Sequence, residues 1–248
     1  DELLVRPDNI QELLNEICHI IVQVGGYRMG WIGYRYHDAD KSVEPVAMDG
    51  YEDGYLQKAF LTWADNERGR GPVGTAIRTG RSCVIKDVYE PNFKPWREEA
   101  LKRGYRSVVA LPLLIRGDAI GSLNVYSSEP DDFHEEEVTL LQELAANLAY
   151  GITALRTKEE KRRAAEQLRQ SEDRLHKAFN VSPDAISITS LQNGRFIEVN
   201  DRFTQFSGYS RDELLLKTPV ELGLCVDPAK CEAMIASLTA QGQLHEYE

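Results

Sequence analysis

Residues 108–127 read VVALPLLIRGDAIGSLNVYS, and this stretch decides the fold. Its first half, Val108–Ile115, is almost wholly apolar, which is typical of a strand that is covered on both faces. Residues 116–118 (RGD) form a short turn sequence, and Ala119–Ser127 follows as a second strand. Two such runs joined by a short turn predict a β-hairpin. We therefore expect an antiparallel sheet in which Val108–Ile115 is a central strand.

The hydrophobic pattern before the hairpin alternates between helical and strand periods. It predicts a helix, two strands, a helix, a strand and another helix, in that order. These elements are expected from Pro7 to Val24, at Met29–Tyr36, Ser42–Met48, Tyr51–Asn66 and Arg81–Ile85, and from Asn92 to Gly104.

A long helix is predicted after the hairpin, starting in the acidic run of residues 131–137 and continuing to Phe179. About 45 residues at ~1.5 Å each make a rod of roughly 65 Å, too long for one small domain. Its apolar residues recur at near three-and-four spacing, which favours a parallel two-stranded coiled coil and hence a homodimer. The alternative is a single solvated helix. The expected dimer and signalling positions are Leu141, Leu144, Leu148, Ile152, Leu155, Leu168 and Leu175.

Composition limits the possible functions. The chain of 248 residues suffices for two small domains, and its net charge of −11 argues against nucleic-acid binding. The sequence contains no run of about 18 apolar residues, so we expect no transmembrane helix. Residues 1–6 have neither an initiator Met nor a signal peptide, so we expect a piece of a longer cytoplasmic protein. The scatter of Cys18, Cys83, Cys225 and Cys231 favours reduced thiols.

Two groups of motifs in the first part of the chain resemble the GAF domain. The first is residues 71–80 (GPVGTAIRTG) followed by 84–88 (VIKDV), and the second is 105–113 (YRSVVALPL) followed by 120–126 (IGSLNVY). The resemblance implies an α+β fold, with an antiparallel sheet flanked by helices. It also implies a ligand pocket between the sheet and the helices after strands two and three. The implied pocket residues are Trp31, Gly33, Tyr51, Trp63, Thr75, Cys83, Trp96, Tyr105, Ser107, Val109 and Asn124.

The last part of the chain resembles the N-terminal part of a PAS domain. The motifs are residues 179–186 (FNVSPDAI), 196–200 (FIEVN) and 206–214 (FSGYSRDEL). In the same part, Ser210 and Glu213 predict a capping box, Asp227–Gly242 predicts a helix, and residues 244–248 predict the start of a strand. The sequence stops before the last long strands of that family. We therefore expect this sheet either to be unstable alone or to be completed by a partner chain.

These resemblances imply a sensory input region of a bacterial signal-transduction protein. We expect a GAF domain over residues 1–155, a helical coiled-coil linker over 156–178 and an incomplete PAS domain over 179–248. A small molecule of unknown identity would bind in the GAF pocket, and the PAS pocket is a second candidate. A dimeric helix would relay that state to an output domain further along the full-length chain. Resemblance alone suggests a diguanylate cyclase or a histidine kinase for the output.

The sequence predicts no catalytic site or metal site in this fragment, and the identity of any cofactor stays open. The histidines lack metal-ligand spacing such as H-x-x-x-H, although a lone His could still bind haem or a metal. Covalent bilin is not expected, because Cys18-His19 lies on the first helix rather than where phytochrome-like GAF domains carry their Cys-His pair. A flavin adduct is not expected, because Pro219 stands where flavin-binding PAS relatives have a reactive Cys.

Two alternatives remain open at the sequence level. One is a thiol-dependent reductase of the GAF-fold, free-methionine-sulfoxide type, with Cys83 as the nucleophile and no clear resolving cysteine. The other is a dimerisation module whose GAF pocket holds no ligand. The locally basic stretch of residues 94–106 could close over an anionic or aromatic molecule, but a solvated helix face explains it more simply.

Overall fold

The computed structural model describes residues 9–225, 227, 229–231, 233 and 234. The chain divides into two compact units between Lys161 and Arg162. Each unit is described by itself below.

The first unit is built on a five-stranded antiparallel sheet. In chain order its strands are β1 (Met29–Arg35), β2 (Val43–Gly50), β3 (Cys83–Ile85), β4 (Ser107–Ile115) and β5 (Asp118–Ser127). Their order across the sheet is β2-β1-β5-β4-β3, so β5 is the middle strand. β4 and β5 form the hairpin that residues 108–127 predict. The expectation of an α+β fold with an antiparallel sheet is confirmed.

Two helices cover one face of this sheet. α1 (Ile10–Gln23) begins after Asn9, whose side chain accepts a hydrogen bond from the Glu12 amide at 2.8 Å. α5 (Glu135–Val181) is a continuous helix of 47 residues with three glutamates in its first turn. Negative charge at a helix N-terminus is stabilised by the helix dipole. The residues that α5 buries are Leu141, Ala145, Leu148, Ala149 and Ile152, and they share one apolar cluster with α1 and the sheet.

Short helical segments cover the other face. They are α2 (Tyr55–Ala59), α3 (Pro72–Thr79), a 3-10 helix (Pro91–Trp96) and α4 (Arg97–Lys102). Their apolar side chains pack with β1, β4 and β5 in a second cluster that includes Trp31, Val108 and Tyr126. The sheet is therefore buried on both sides.

Two predicted helices differ from the structure, and local backbone geometry explains both. The helix predicted over Tyr51–Asn66 is reduced to α2, because Gly54 before it and Phe60 after it adopt left-handed φ angles of 73° and 46°. Such residues end helices. The helix predicted from Asn92 is divided into the 3-10 helix and α4, and Pro95 lies inside the 3-10 segment. Proline has no amide proton to donate, so regular α-helical bonding cannot run through it.

The second unit has a small two-stranded sheet and two short helices. They are β6 (Ser187–Thr189), β7 (Phe196–Val199), α6 (Asp201–Ser207) and α7 (Arg211–Leu214). The capping box predicted from Ser210 and Glu213 is present at the start of α7. Of the helix predicted from Asp227 to Gly242, residues 229–231, 233 and 234 are helical. The rest of that helix and the strand predicted over 244–248 lie outside the described residues.

Asn200 holds the start of the second unit together. Its side-chain oxygen accepts hydrogen bonds from the amides of Phe203 and Ile186, both at 2.9 Å. Its side-chain amide donates to the carbonyls of Phe179 and Asp184 at 3.0 and 2.8 Å. A buried amide whose donors and acceptor are all used is worth more than one isolated hydrogen bond.

The cysteines correct one expectation from the sequence. Cys225 and Cys231 are joined by a disulfide, whereas the sequence favours four reduced thiols. The two residues are only six positions apart and their Cα atoms lie 6.7 Å from each other, within the range that disulfides span. Cys18 and Cys83 are free thiols.

Leu148→Ala should lower the free energy of unfolding of the first unit by about 2–5 kcal/mol, because Leu148 lies fully buried between α5 and the sheet. Tryptophan fluorescence in a urea titration measures this unit alone, since Trp31, Trp63 and Trp96 all lie in it. The matched control is Tyr150→Ala two residues along, where the side chain is 77% exposed and the change should be within ~0.5 kcal/mol. Equal effects of the two variants would contradict the assigned burial of α5.

Candidate functional site

The face of the sheet opposite α1 and α5 carries a row of side chains at matched register. Trp31 on β1 lies opposite Asn124 on β5, Asn124 opposite Ala110 on β4, and Ala110 opposite Cys83 on β3. Directly paired residues of an antiparallel sheet point to the same side. The row therefore forms the floor of a candidate ligand site.

The segment of residues 51–71, which we call the roof, lies over this floor. Within the roof, Tyr55 on α2 is almost wholly buried. The Tyr55 ring centroid lies 5.3 Å from that of Tyr105 and 5.6 Å from that of Tyr126. These three rings fill the space between roof and floor with edge-on and tilted contacts, which are favourable for aromatic pairs.

The three phenols are neutral. Burial raises the pKa of Tyr126 to about 12, and burial also raises the pKa values of Tyr55 and Tyr105. Their hydroxyl groups can therefore take part in hydrogen bonds but carry no charge at neutral pH. This environment suits an uncharged molecule better than an ion.

One end of the roof is held by Arg103 and Tyr105. Arg103 is only 4% exposed, and its guanidinium donates to the carbonyl of Glu52 at 2.8 Å and to the carbonyl of Asp53. The Tyr105 hydroxyl donates to the carbonyl of Tyr51. Arg103 also donates to the Glu99 carboxylate at 2.9 Å, and hydrogen bonds from Lys102 and Arg103 lower the pKa of Glu99 to about 2.

The middle of the roof is held at Ala59, by Trp96 from outside the roof and by Arg68 from within it. The Trp96 indole nitrogen donates to the carbonyl of Ala59 at 2.8 Å, and the Arg68 guanidinium donates to the same oxygen at 2.9 Å. Gly71 is required here because a Cβ at this position would lie 2.3 Å from the Trp96 ring. The last residues of α2 are thus fixed from two directions.

The space left under the roof is small. A cavity of about 10 Å³ remains between Tyr55, Phe93, Trp96 and Tyr126, with Gly71 at its edge. That volume is at the lower limit for one water molecule. The site is therefore closed. An organic ligand could enter it only if the roof moved.

Asn124 carries one of the buried polar groups of the floor. Its side-chain amide donates to the hydroxyl of Ser122 at 3.0 Å and to the Ser122 carbonyl at 3.2 Å. Within the described part of the chain, its side-chain oxygen has no hydrogen-bond partner although the residue is fully buried. A buried acceptor left in this condition costs about 1–3 kcal/mol, so Asn124 marks a place where a donor would be favourable.

The structure brings six of the eleven predicted pocket residues to this site. Four of them lie on the floor face, where a Cβ at Gly33 would approach the Trp31 ring to 2.7 Å. The other two support the roof. The six residues are Trp31, Gly33, Cys83 and Asn124 on the floor and Trp96 and Tyr105 beside the roof.

The other five predicted residues lie elsewhere. Ser107 and Val109 point to the opposite face of β4: Val109 packs in the cluster of α1 and α5, and Ser107 donates to the Glu129 carbonyl. Strand alternation separates them from Asn124. Tyr51 and Trp63 lie at the surface of the roof, where Arg28 stacks on Tyr51.

Thr75 is the fifth residue, and it donates its hydroxyl to the Arg70 carbonyl at 3.1 Å rather than facing the floor. Sequence reasoning missed Tyr55, Phe93, Arg103 and Tyr126. Of these four, only Tyr126 could have been predicted from the sequence. It follows Asn124 by two positions and therefore lies on the same face of β5.

The two free cysteines lie on opposite faces of the sheet. Cys83 pairs in register with Ala110 on the floor face, whereas Cys18 packs between α1 and Ile32 on the other face. Burial raises the pKa of Cys83 and raises that of Cys18 to about 12, which disfavours the reactive thiolate in both. Among the described residues, no group of three or more His, Cys, Asp or Glu side chains is placed to bind a metal ion.

The predicted signalling positions on α5 divide into two classes. Leu141, Leu148 and Ile152 are buried against the sheet of their own unit, so they cannot also form a seam with a second chain. Leu144 also packs on that cluster, and Leu155 is half-buried. In contrast, Leu168 and Leu175 are 61% and 68% exposed. No helix of the described residues has the length and apolar character needed to cross a membrane.

A curated relative is similar over part of the chain. It is the methyl sulfide methyltransferase-associated sensor of Methanosarcina acetivorans, 27% identical over 144 residues. The match covers 57% of this chain but only 14% of the relative, so this chain spans a small part of that protein.

Two solved structures share the fold of the first unit. The free methionine-R-sulfoxide reductase of Neisseria meningitidis is 21% identical with a TM-score of 0.51, covering 61% of this chain and 83% of that one. The GAF domain of a phosphoenolpyruvate-protein phosphotransferase from Coxiella burnetii has the same identity and TM-score, covering 61% and 87%. At this identity the likeness concerns the fold alone.

Family comparison agrees with the architecture described above. The GAF domain family matches residues 7–153, which is more than half of the chain, and the PAS domain family matches residues 173–240. The chain therefore belongs to the GAF domain family, and its GAF domain is followed by a PAS domain.

Proposed function

We propose that this chain is the sensory part of a cytoplasmic signalling protein, which binds a small molecule under the roof of the GAF domain. One observation carries the proposal: the sheet bears the closed site on one face and α5 on the other. Along β5, Asn124 and Tyr126 face the site while Leu123 and Val125 pack toward α1 and α5. A change at the floor thus acts on the packing of α5 through a single strand layer.

The ligand is an uncharged small molecule with a hydrogen-bond donor. Neutral tyrosines surround the space, and Arg103 is the only charged side chain among the buried residues that the structure describes. Its guanidinium is already used by the roof carbonyls and Glu99. The unpartnered oxygen of Asn124 would accept the ligand's donor, and the ligand would replace aromatic contacts that Tyr55 now makes.

Binding requires the roof to open, and this requirement gives the site two states. A ligand shifts such an equilibrium only by its difference in affinity for the two forms. The closed form is stabilised by the bonds of Arg103, Tyr105 and Trp96 to the roof backbone. The open form would be stabilised by the ligand.

The relay is a homodimer formed through α5, and an output domain elsewhere in the full-length protein reads it. Leu168 and Leu175 are exposed and seven residues apart, which is the heptad spacing of a coiled-coil seam. The relative's description as a sensor agrees with this role. We infer that the two domains bind and relay, and that catalysis belongs to the output domain.

Ligand binding can be tested by a thermal-shift screen of uncharged small molecules carrying a hydrogen-bond donor. We expect compounds that raise the melting temperature of the first unit by several degrees, since anything that binds only the folded form stabilises it. Asn124→Leu should abolish that shift, whereas the control Ser82→Ala, outside the floor row, should keep it. A compound that shifts wild type and Asn124→Leu equally would place binding elsewhere.

Arg103→Gln should loosen the roof, because charge-assisted bonds to the Glu52 and Asp53 carbonyls are lost. Each such bond is worth about 1.5–3 kcal/mol, so amide exchange in residues 55–59 should accelerate at least tenfold. Hydrogen exchange with mass spectrometry measures this change. Arg97→Gln is the matched control, since Arg97 bonds the carbonyls of Val88 and Tyr89 instead. Similar acceleration in both variants would show a general loss of stability. It would contradict a specific restraint of the roof by Arg103.

Replacing both Leu168 and Leu175 by Glu should convert the dimer into a monomer of 28.1 kDa without unfolding either unit, because both side chains are exposed. Light scattering at micromolar concentration gives the mass, and circular dichroism verifies the fold. Leu216→Glu, at another exposed leucine of the second unit, should leave the dimer intact. A wild-type protein that is monomeric under these conditions would rule out the relay as proposed.

A further inference from the structure

The second unit contains a cavity of about 380 Å³. Its wall is mainly apolar, with Phe196, Phe203, Leu224 and Met234 among the lining residues, and a few serine and threonine hydroxyls lie at its edge. This volume lies within the range of pockets that accept small organic molecules. Both Cys225 and Cys231 belong to the wall, so the disulfide is part of the cavity's boundary.

Local turn chemistry brings the two cysteines together. The Asp227 carboxylate accepts hydrogen bonds from the amides of Ala229 and Lys230 at 3.0 and 3.3 Å, as an N-cap does at the start of a helical turn. The Asp227 carbonyl accepts from the Cys231 amide at 3.1 Å. Cys231 is held in this way where its sulfur bonds that of Cys225.

We propose that Cys225 and Cys231 form a redox-active pair that closes the wall of this cavity when oxidised and releases it when reduced. The co-reactant is a low-molecular-weight thiol and its disulfide. When the pair is oxidised, the S–S bond of the small disulfide breaks and the Cys225–Cys231 bond forms. The two protein thiols give up two electrons and two protons, and the small molecule leaves as two thiols. Reduction is the reverse exchange.

Two observations and the proposed cytoplasmic location favour a reversible switch over a permanent structural crosslink. The loop closed by the bond is short, and a disulfide stabilises a fold less when it closes a short loop. Both cysteines are only half-buried, so a small thiol can reach them. In the cytoplasm proposed above, lasting structural disulfides are rare, and those that form are mostly transient or redox-sensing. The free thiols Cys18 and Cys83 offer no such geometry, since they lie on opposite faces of one sheet.

The redox step is tested on the 248-residue chain in glutathione buffers whose ratio of thiol to disulfide spans a hundredfold or more. Thiols are alkylated after denaturation and located by peptide mass spectrometry. We expect Cys225 and Cys231 to pass together from bonded to free as the thiol fraction rises, while Cys18 and Cys83 remain free thiols throughout. A pair that stays wholly reduced or wholly bonded across the full range would overturn the proposal.

The effect on the cavity is tested with the fluorescent apolar probe 1-anilinonaphthalene-8-sulfonate. Reduction of wild type should weaken probe binding at least threefold, because a wall that the bond preorganises is released. Cys225→Ser and Cys231→Ser should each bind the probe as reduced wild type does and should not respond to the reductant. Cys83→Ser is the matched control and should respond as wild type does.

An unchanged dissociation constant for the probe on reduction of wild type would overturn the link between the bond and the cavity. That measurement uses the natural sequence, so a serine variant that fails to fold does not affect it. The result is also independent of ligand binding under the roof of the GAF domain.

Discussion

A sheet that must be covered on both faces is the constraint on which the first unit depends. β5 lies in the middle of the five strands, and its residues alternate between two apolar clusters. Neither face can be left to solvent, since each carries large side chains such as Trp31 on one side and Leu123 on the other. α1 and α5 bury one face with their apolar sides. Short segments bury the other face, and such segments can be displaced at a lower free-energy cost than a long helix.

The roof is the displaceable part, and its construction explains why a closed site can still be a binding site. Backbone carbonyls of residues 51–53 are held by Arg103 and Tyr105, and the Ala59 carbonyl is held by Trp96 from outside the roof. Between these points, Tyr55 occupies the space with the protein's own aromatic ring. A ligand therefore competes with a side chain rather than entering an empty hole, and its net affinity is the difference between the two sets of contacts.

Much of the fold could be predicted from local sequence chemistry. The hairpin at residues 108–127, the capping box at Ser210 and the long helix α5 all follow from patterns contained within a few turns or strands. The roof could not be predicted, because left-handed backbone at Phe60 has no sequence signature. The pocket was predicted only in part. Which face of β4 a residue such as Val109 occupies depends on sheet register, and register depends on residues far along the chain.

The positions of α1 and α5 at opposite ends of the first unit have a consequence for synthesis. During translation the chain emerges from its N-terminus, and domains fold as units once they are complete. The sheet's helix-covered face, with Leu111, Leu123 and Val125, has only α1 to pack against until the residues up to Ile152 have left the ribosome. The helix that we assign to relaying the signal is thus also the last piece needed to shield that face. Nascent chains that stall before α5 is complete would expose this apolar face to chaperones and proteases.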